Sequence, residues 1–424
     1  MSNVIRKQYY QITFELASPI NVGSGYNSET DKDIIRNSNE EPYIPGSAIA
    51  GVSRDAVKGM GEDIIKKYFG DVCISGKTCN EIDRDKSISS KVVFYDALIS
   101  SGKSYISVRD SVALDDFKTA RKGAKFDMEV LEPGITFVTY IEQNISKDDE
   151  DIAYKVVQYW LNNQIRLGAK TTRGYGEIKT ISVLSKSFEL TDTDCVNRWL
   201  DFDMYSDWED YETVDIEKME SKTISLSLVQ RGGISIRKYT TKVNDLSDGI
   251  AVPDMEQLTL YTDDNSAKPV IPGSTWAGAF RHRMKELGCE DSLLYDLFGY
   301  VDDKKSVKKK SSIIFSETVI SGANEKVFTR NAIDRFTGGA KNKALFTDKT
   351  YYGGKTKLVI RFNDIDKIKK CAGYIAATIT DLDYGFLSIG GLTSVGRGLF
   401  EVTCINGKSV DDNTLYDEVL KALK

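Results

Sequence analysis

Residues 44–58 read IPGSAIAGVSRDAVK, and residues 271–285 read IPGSTWAGAFRHRMK. Ile, Pro, Gly, Ser, Ala, Gly, Arg and Lys recur at the same relative positions, with an offset of 227 residues. Further matches follow in the same order. Phe69-Gly70 is answered by Phe298-Gly299, and LDDFKTARKGAKF (114–126) by IDRFTGGAKNKALF (333–346). Gly168, Gly174 and Gly176 are answered by Gly390, Gly396 and Gly398. Ordered matches at nearly constant offset mean a tandem duplication, which fixes the architecture before any element is assigned. The repeated unit spans roughly 200 residues, long enough to bury a core of its own. Two domains are therefore expected, at 1–200 and 222–424. Between them lies an acidic connector, 201–221, with nine Asp/Glu and one Lys over residues 201–220. Trp208 and Tyr211 read as aromatic anchors that tie this connector to one half.

Each half spells the same element order. An alternating strand opens it: Tyr10, Ile12, Phe14 and Leu16 in the first, Ile224, Leu226 and Leu228 in the second. After a polar loop comes Pro-Gly-Ser, where Ser47 and Ser274 read as helix N-caps. A second amphipathic helix follows late in each half. Val156, Val157, Trp160, Leu161 and Ile165 mark its apolar face in the first, and Ile368, Cys371, Ile375, Ile379 and Leu382 in the second. A Gly-rich turn and a closing strand end each half. Strand, helix, strands, helix, strand is the ferredoxin-like order, so the expected class is α+β with two tandem ferredoxin-like domains.

Several chemistries are excluded by counting. The chain has one His, so no two-His acid–base pair and no His-rich metal site is available. His282 lies in a helical run between Arg281 and Arg283. Six Cys in 424 residues do not make a disulfide scaffold. Cys73 and Cys79, the one close pair, lack the partners of a zinc site and read as reduced thiols. No apolar run reaches the length of a membrane span, and the opening residues lack a signal-peptide core. A cytoplasmic protein without a membrane partner is expected. The net charge of −6 argues against a generic polyanion binder but not against local basic grooves.

Three groups of residues carry candidate chemistry. The Pro-Gly-Ser helix has its cap Ser, a Gly one turn on (Gly51, Gly278) and an Arg one turn further (Arg54, Arg281). Lys58 and Lys285 continue that face. A helix N-terminus with an Arg on the same face suits phosphate; a capped helix with a packing Gly and a salt-bridged Arg has the same spacing. The second group is a pair of carboxylates before each helix, Asp31 and Asp33, then Asp254 and Glu256. Loop carboxylates beside a phosphate bind a divalent ion or take a proton from a nucleophile; a solvated acidic loop looks the same. The third is a basic loop in each half, Lys118, Arg121, Lys122 and Lys125, then Arg335, Lys341 and Lys343. Phe117 and Phe336 are placed to stack on a base there, and Leu114 and Ile333 to wedge between bases. Arg173 and Arg397, in the Gly-rich turns, are further phosphate candidates. The lysine run 304–310 reads as an exposed insertion particular to the second half.

IPGSxxxGxxR, then Phe-Gly, a basic Gly-containing hairpin and a closing Gly-rich turn, on a ferredoxin-like frame, resembles the RAMP superfamily of CRISPR-associated proteins. Both halves match, so the likeness covers nearly the whole chain, and it is strongest to the backbone subunits of type III effector complexes in a fused two-unit form. The resemblance implies stacking along a CRISPR RNA, with helix and Gly-rich turn on its phosphates. It implies basic hairpins, called thumbs, that kink the guide–target duplex. It implies cleavage of target single-stranded RNA by a loop Asp with a divalent metal, Mg²⁺ or Mn²⁺, and no organic cofactor. Its partners would be the other type III subunits, and its role antiviral defence. Asp31 matches the catalytic Asp of that family, five residues before Arg36 as in the Asp-x-x-x-x-Arg pattern. Asp254 corresponds to it by internal alignment, but its loop is longer and lacks the Arg. The alternatives are a scaffold that leaves cutting to another subunit, and a free-standing endonuclease that trims precursor RNA. RNA cleavage through the substrate's own 2′-OH needs in-line geometry more than a His pair, so one His does not forbid it.

Overall fold

The computed structural model describes residues 4–25, 29–71, 87–114, 120–219, 222–238, 253–261, 267–302, 307–411 and 413–423. Cys73, Cys79, Phe117, Lys118, Lys304 and Lys305 lie outside these residues, as do the side chains of Leu114, Arg121 and Lys343.

In chain order the first half contains β1 (Val4–Leu16), α1 (Gly46–Ala56), α2 (Glu62–Phe69), β2 (Val92–Phe94), β3 (Leu98–Ser101), β4 (Ile106–Leu114), β5 (Ala120–Leu131), β6 (Thr136–Ser146), α3 (Ile152–Leu161) and β7 (Ile178–Glu189). It ends with α4 (Thr193–Asp201) and β8 (Glu212–Thr213). The sheet runs β2-β6-β1-β7-β8. Its four core strands are antiparallel, and α1 and α3 form the two crossovers. That is the ferredoxin-like arrangement, with the order fourth, first, third, second. Tyr10, Ile12 and Phe14 point from β1 into a core completed by Ile49 of α1 and by Val156 and Trp160 of α3. The Phe14 and Trp160 rings lie 5.1 Å apart. The apolar alternation along β1 dictates this face.

The second half follows with β9 (Lys222–Arg231), β10 (Gly233–Ile234), β11 (Arg237–Lys238), β12 (Met255–Gln257), β13 (Thr259–Tyr261), β14 (Ala267–Ile271), α5 (Gly273–Glu286), α6 (Asp291–Phe298), β15 (Tyr300–Asp302), β16 (Val307–Lys309) and β17 (Ile313–Phe315). Then come β18 (Thr318–Val319), β19 (Asn324–Ile333), β20 (Ala340–Tyr352), β21 (Lys355–Phe362), α7 (Ile365–Asp383), β22 (Leu399–Ile405), β23 (Lys408–Ser409) and α8 (Leu415–Leu423). Its sheet, β17-β21-β9-β22-β23, repeats the first in order and sense. Ile224, Leu226 and Leu228 meet Phe280 of α5 and Ile375 and Ile379 of α7. The protein is α+β, two tandem ferredoxin-like domains. Each carries a long hairpin, β4–β5 or β19–β20, between its second and third core strands. The described end of the lysine run is the strand β16, paired with β15.

By packing, the chain divides into two compact units. One comprises Met1–Ser107, Glu129–Ala169 and Gly176–Glu220; the other comprises Val108–Met128, Lys170–Tyr175 and Ser221–Lys424. The connector belongs to the first. Its Trp208 sits in an aromatic cluster with Tyr9, Tyr140 and Phe188 on the sheet face opposite α1 and α3, where Trp199 of α4 also packs. Tyr211 anchors nothing: it is 47% exposed. α7 ends at a Gly of positive φ, Gly385, whereas α3 ends at Asn163 in that conformation, since Asn also tolerates the left-handed region. Among the described residues no helix is long and apolar enough to cross a membrane.

Candidate functional site

The two Pro-Gly-Ser helices start alike, two residues earlier than their serines suggest. The N-caps are Pro45 and Pro272, with no side-chain cap bond. Pro45 O accepts from Ala48 N–H at 2.9 Å, and Pro272 O accepts from Thr275 N–H at 2.9 Å. Gly46 and Gly273 follow because a Cβ there would strike the carbonyl oxygen of Phe94 or Phe315. Ser47 and Ser274 are thus exposed residues of the first turn rather than caps. One of the free N–H groups at this helix start is already used: Gly46 N–H donates to Asp96 Oδ1 at 2.7 Å.

Ser47, Gly51, Arg54 and Lys58 are all exposed, and so are Ser274, Gly278, Arg281 and Lys285. Spacings of four and three place Ser47, Gly51 and Arg54 on one face of α1, and spacings of four, three and four place Ser274, Gly278, Arg281 and Lys285 on one face of α5; Lys58 lies in the 3₁₀ turn just beyond α1. A Cβ added at Gly51 or Gly278 would meet nothing within 4 Å. The packing explanation for these glycines therefore fails within the chain. An exposed mid-helix Gly costs about 1 kcal/mol relative to Ala. Arg281 extends with its guanidinium 5.9 Å above the Tyr295 ring. His282 pairs with Glu286 on the flank of α5 at 3.0 Å.

The Gly-rich turns also repeat. At Gly176 a Cβ would collide with Leu167 O, and at Gly398 with Ile389 O, both with positive φ. Only Gly closes such a turn. Their arginines occupy different positions: Arg173 matches Val395, and Arg397 matches Tyr175. Arg173 is exposed, whereas Arg397 is 1% exposed and ion-paired with Asp348 of β20. Arg397 is therefore not a surface phosphate ligand, because a buried acid claims it.

The acidic loop of the first half is a built ribbon. Ile35 N–H donates to Val22 O at 2.8 Å, and Ser24 N–H to Asp33 O at 3.0 Å. Asp33 is buried and closes the turn, accepting from Thr30 N–H at 2.9 Å and Thr30 Oγ1 at 2.8 Å. Asp31, within that turn, is exposed. The pair thus divides: Asp33 shapes the turn, and Asp31 faces solvent. In the second half Asp254 is exposed, with Oδ2 accepting from Thr347 N–H at 2.7 Å. Glu256 is half-buried within β12, between β11 and β20.

A family model described as the RAMP superfamily matches residues 13–179 and 221–401. The chain belongs to the RAMP superfamily. Both matched segments fall on the two ferredoxin-like halves. No curated protein matches the chain. At superfamily level this RAMP protein is a CRISPR-associated RNA-binding subunit, in a superfamily that includes ribonucleases.

The RAMP hairpins carry further exposed cations. In the first, Lys122 and Lys125 are exposed, and Lys125 lies 3.2 Å from Asp110. In the second, Arg335 and Lys341 are exposed, Ile333 is mostly so, and Phe336 is 100% exposed. Arg109 escaped the sequence reading. It is buried in the second compact unit, with Nη1 and Nη2 donating to Glu317 at 2.5 and 3.2 Å. Glu317 stands where Asp96 stands in the first half, in the match VVFYDALIS to IIFSETVIS, and that segment was the signal available. Among the described residues, no three His, Cys, Asp or Glu side chains come together as a metal-binding group.

Proposed function

We propose that this RAMP protein is a fused backbone subunit of a type III CRISPR ribonucleoprotein, holding guide CRISPR RNA along both exposed Ser-Gly-Arg-Lys faces and cutting complementary target RNA at Asp31. The observation that carries guide binding is the open space at Gly51 and Gly278. A backbone that must come close to a helix needs a residue without a side chain, flanked by cations, and both halves supply it. The basic hairpins would kink the guide–target duplex, with Phe336 stacking on a base.

At the kink, the Asp31 carboxylate would accept the proton of a target 2′-OH as that oxygen attacks the adjacent phosphorus. The P–O5′ bond breaks, leaving a cyclic phosphate and a 5′-oxygen that takes its proton from water. The described residues do not fit a resident metal site, so no step passes through a metal. The expected divalent ion would have to be shared with RNA phosphates. A second reading applies to the second half alone. Asp254 commits one carboxylate oxygen to the Thr347 N–H, which favours a guide-holding half without a cut. Free-standing precursor trimming has less support, since the one His is engaged with Glu286.

The test is reconstitution with guide and target RNA. Asp31→Ala is expected to slow one cut by about a hundredfold or more, with target affinity unchanged, while Asp254→Ala leaves the pattern intact. If every cut persists in the double variant, the protein is a scaffold. A second cut lost with Asp254 makes both halves catalytic.

A further inference from the structure

The ribbon that carries Asp31 is tied to one buried side chain outside it. Glu129, near the end of β5, is 5% exposed. Its Oε2 accepts from Ile34 N–H at 2.9 Å, and its Oε1 accepts from Arg36 Nη2 at 2.8 Å. Its own N–H donates to Lys32 O at 3.1 Å. Asn21, also buried, donates through Nδ2 to Glu129 O at 2.8 Å and to Lys32 O at 3.3 Å. Lys32, Ile34 and Arg36, the alternate residues that follow Asp31, are thus all bonded to Glu129.

A buried carboxylate is stable only where donors replace water, and these donors come from the loop. The Glu129 bond also pushes the Arg36 pKa up from its already high value. Surface loops are otherwise the mobile parts of a fold. Glu129 also marks a boundary: residues up to Met128 of the hairpin group with the second compact unit, and the chain from Glu129 onward groups with the first.

We infer that Glu129 is the positioning residue that fixes Asp31, with Asn21 supporting it. The inference rests on the proposed role of Asp31. In-line attack tolerates little displacement, and a misplacement of about 1 Å costs about a hundredfold in rate.

The test uses Glu129→Ala and Glu129→Gln in the full chain assembled with guide RNA. Three quantities are read: single-turnover cleavage, target affinity, and amide exchange over residues 29–36. Glu129→Ala is expected to slow the Asp31-dependent cut by about a hundredfold, speed exchange at Ile34, and leave target affinity within about twofold. Glu129→Gln keeps an oxygen for the Ile34 N–H but loses the charge on Arg36. It should restore most of the protection and slow the cut by about tenfold. A cut at the original rate in Glu129→Gln overturns the inference, and that variant decides alone if Glu129→Ala does not fold. Loss of guide binding and heat stability in step with cleavage, in both variants, makes Glu129 merely structural and also overturns it. Should Asp31→Ala leave every cut intact, the catalytic reading fails, and with it the inference that Glu129 positions a cutting residue. The exchange at Ile34 would still show whether Glu129 holds the loop.

Discussion

At the base of the two hairpins the same strand carries its acid one residue apart. Ile20 bridges Leu131 in the first half, and Ile234 pairs with Tyr351 in the second. Leu131 and Tyr351 are therefore equivalent. Counting back, Glu129 stands where Lys349 stands, and Met128 where Asp348 stands. Successive strand residues face opposite ways, so a shift of one residue turns the acid to the other face. In the first half the acid faces the Asp31 ribbon and holds Ile34 and Arg36. In the second it faces the closing turn and holds Arg397. On that face of the first half, Lys170 Nζ lies 2.8 Å from Met128 Sδ. The duplicated halves thus keep one frame and use their buried acid differently. One stiffens a loop with an exposed Asp, the other stiffens a turn.

The largest expected effect tests that difference through stability. Arg397 and Asp348 are each 2% exposed at the side chain. Asp348→Ala leaves a buried guanidinium without its partner and should cost about 3–5 kcal/mol in unfolding free energy. Glu129→Ala should cost less, about 1–3 kcal/mol, because the Arg36 side chain is 28% exposed and regains water. Denaturant unfolding of the two variants decides. Equal losses would mean the two acids do the same work, and the contrast between the halves would fall.

Where the halves are alike, the effect should be smaller and equal. Gly51→Ala and Gly278→Ala add a methyl that meets nothing within 4 Å, so each should stabilise the fold by about 0.5–1 kcal/mol. Gly51→Leu and Gly278→Leu should instead weaken guide RNA binding, since the larger side chain fills the space a backbone would occupy. Stability and affinity then move in opposite directions, which a packing role cannot produce. Arg54→Ala with Arg281→Ala should lower the salt slope of guide binding by about 1.4, two single-strand phosphates. Loss of affinity from only one of the two glycines would show that the halves grip the guide unequally.

Much of this was legible in the sequence because it is periodic or repeated. The alternation of Tyr10, Ile12 and Phe14, the spacing along α7, and the offset between the Pro-Gly-Ser motifs depend on neighbours close in the chain. What escaped depends on distant residues. Ser47 looked like a cap because Ser often is one, but the cap is Pro45, and Ser47 lies in the first turn; the approach of Phe94 O, 48 residues on, explains Gly46. Arg397 lies between Gly396 and Gly398, where the first half has the buried Tyr175, and it is claimed by Asp348, 49 residues away. The acid-x-acid pattern alone does not separate Asp31 from Asp33; the Thr30 bonds to Asp33 do. Glu129, 93 residues from Arg36, carried no local signal at all.

The smallest effect concerns the tip of the second hairpin, where the exposed Phe336 must be held if it is to stack. Asp334 Oδ1 accepts from Phe336 N–H at 3.0 Å, Thr337 N–H at 2.9 Å and Thr337 Oγ1 at 3.1 Å. Asp334 N–H donates to Gly339 O, and Gly338 N–H donates to Asp334 O. The tip is thus a tied turn. The Thr337 N–H, then the Phe336 N–H and the Thr337 hydroxyl, hold the Asp334 carboxyl below the ordinary aspartate value. A depressed folded pKa contributes order that is present above the unfolded pKa. That order is lost as pH falls through the folded pKa. The amide resonances of Phe336 and Thr337 should therefore titrate together, with a midpoint below that of an ordinary aspartate. Asp334→Asn, which keeps an acceptor oxygen and cannot titrate, should remove that transition and leave the tip closed at all pH. Its effect on guide binding should be negligible, because the group is on the surface and the turn survives. A midpoint at or above the ordinary value would mean that Asp334 does not hold the turn. Phe336 would then sit on a loose tip, and the second hairpin would lose its claim to a pre-set stacking residue.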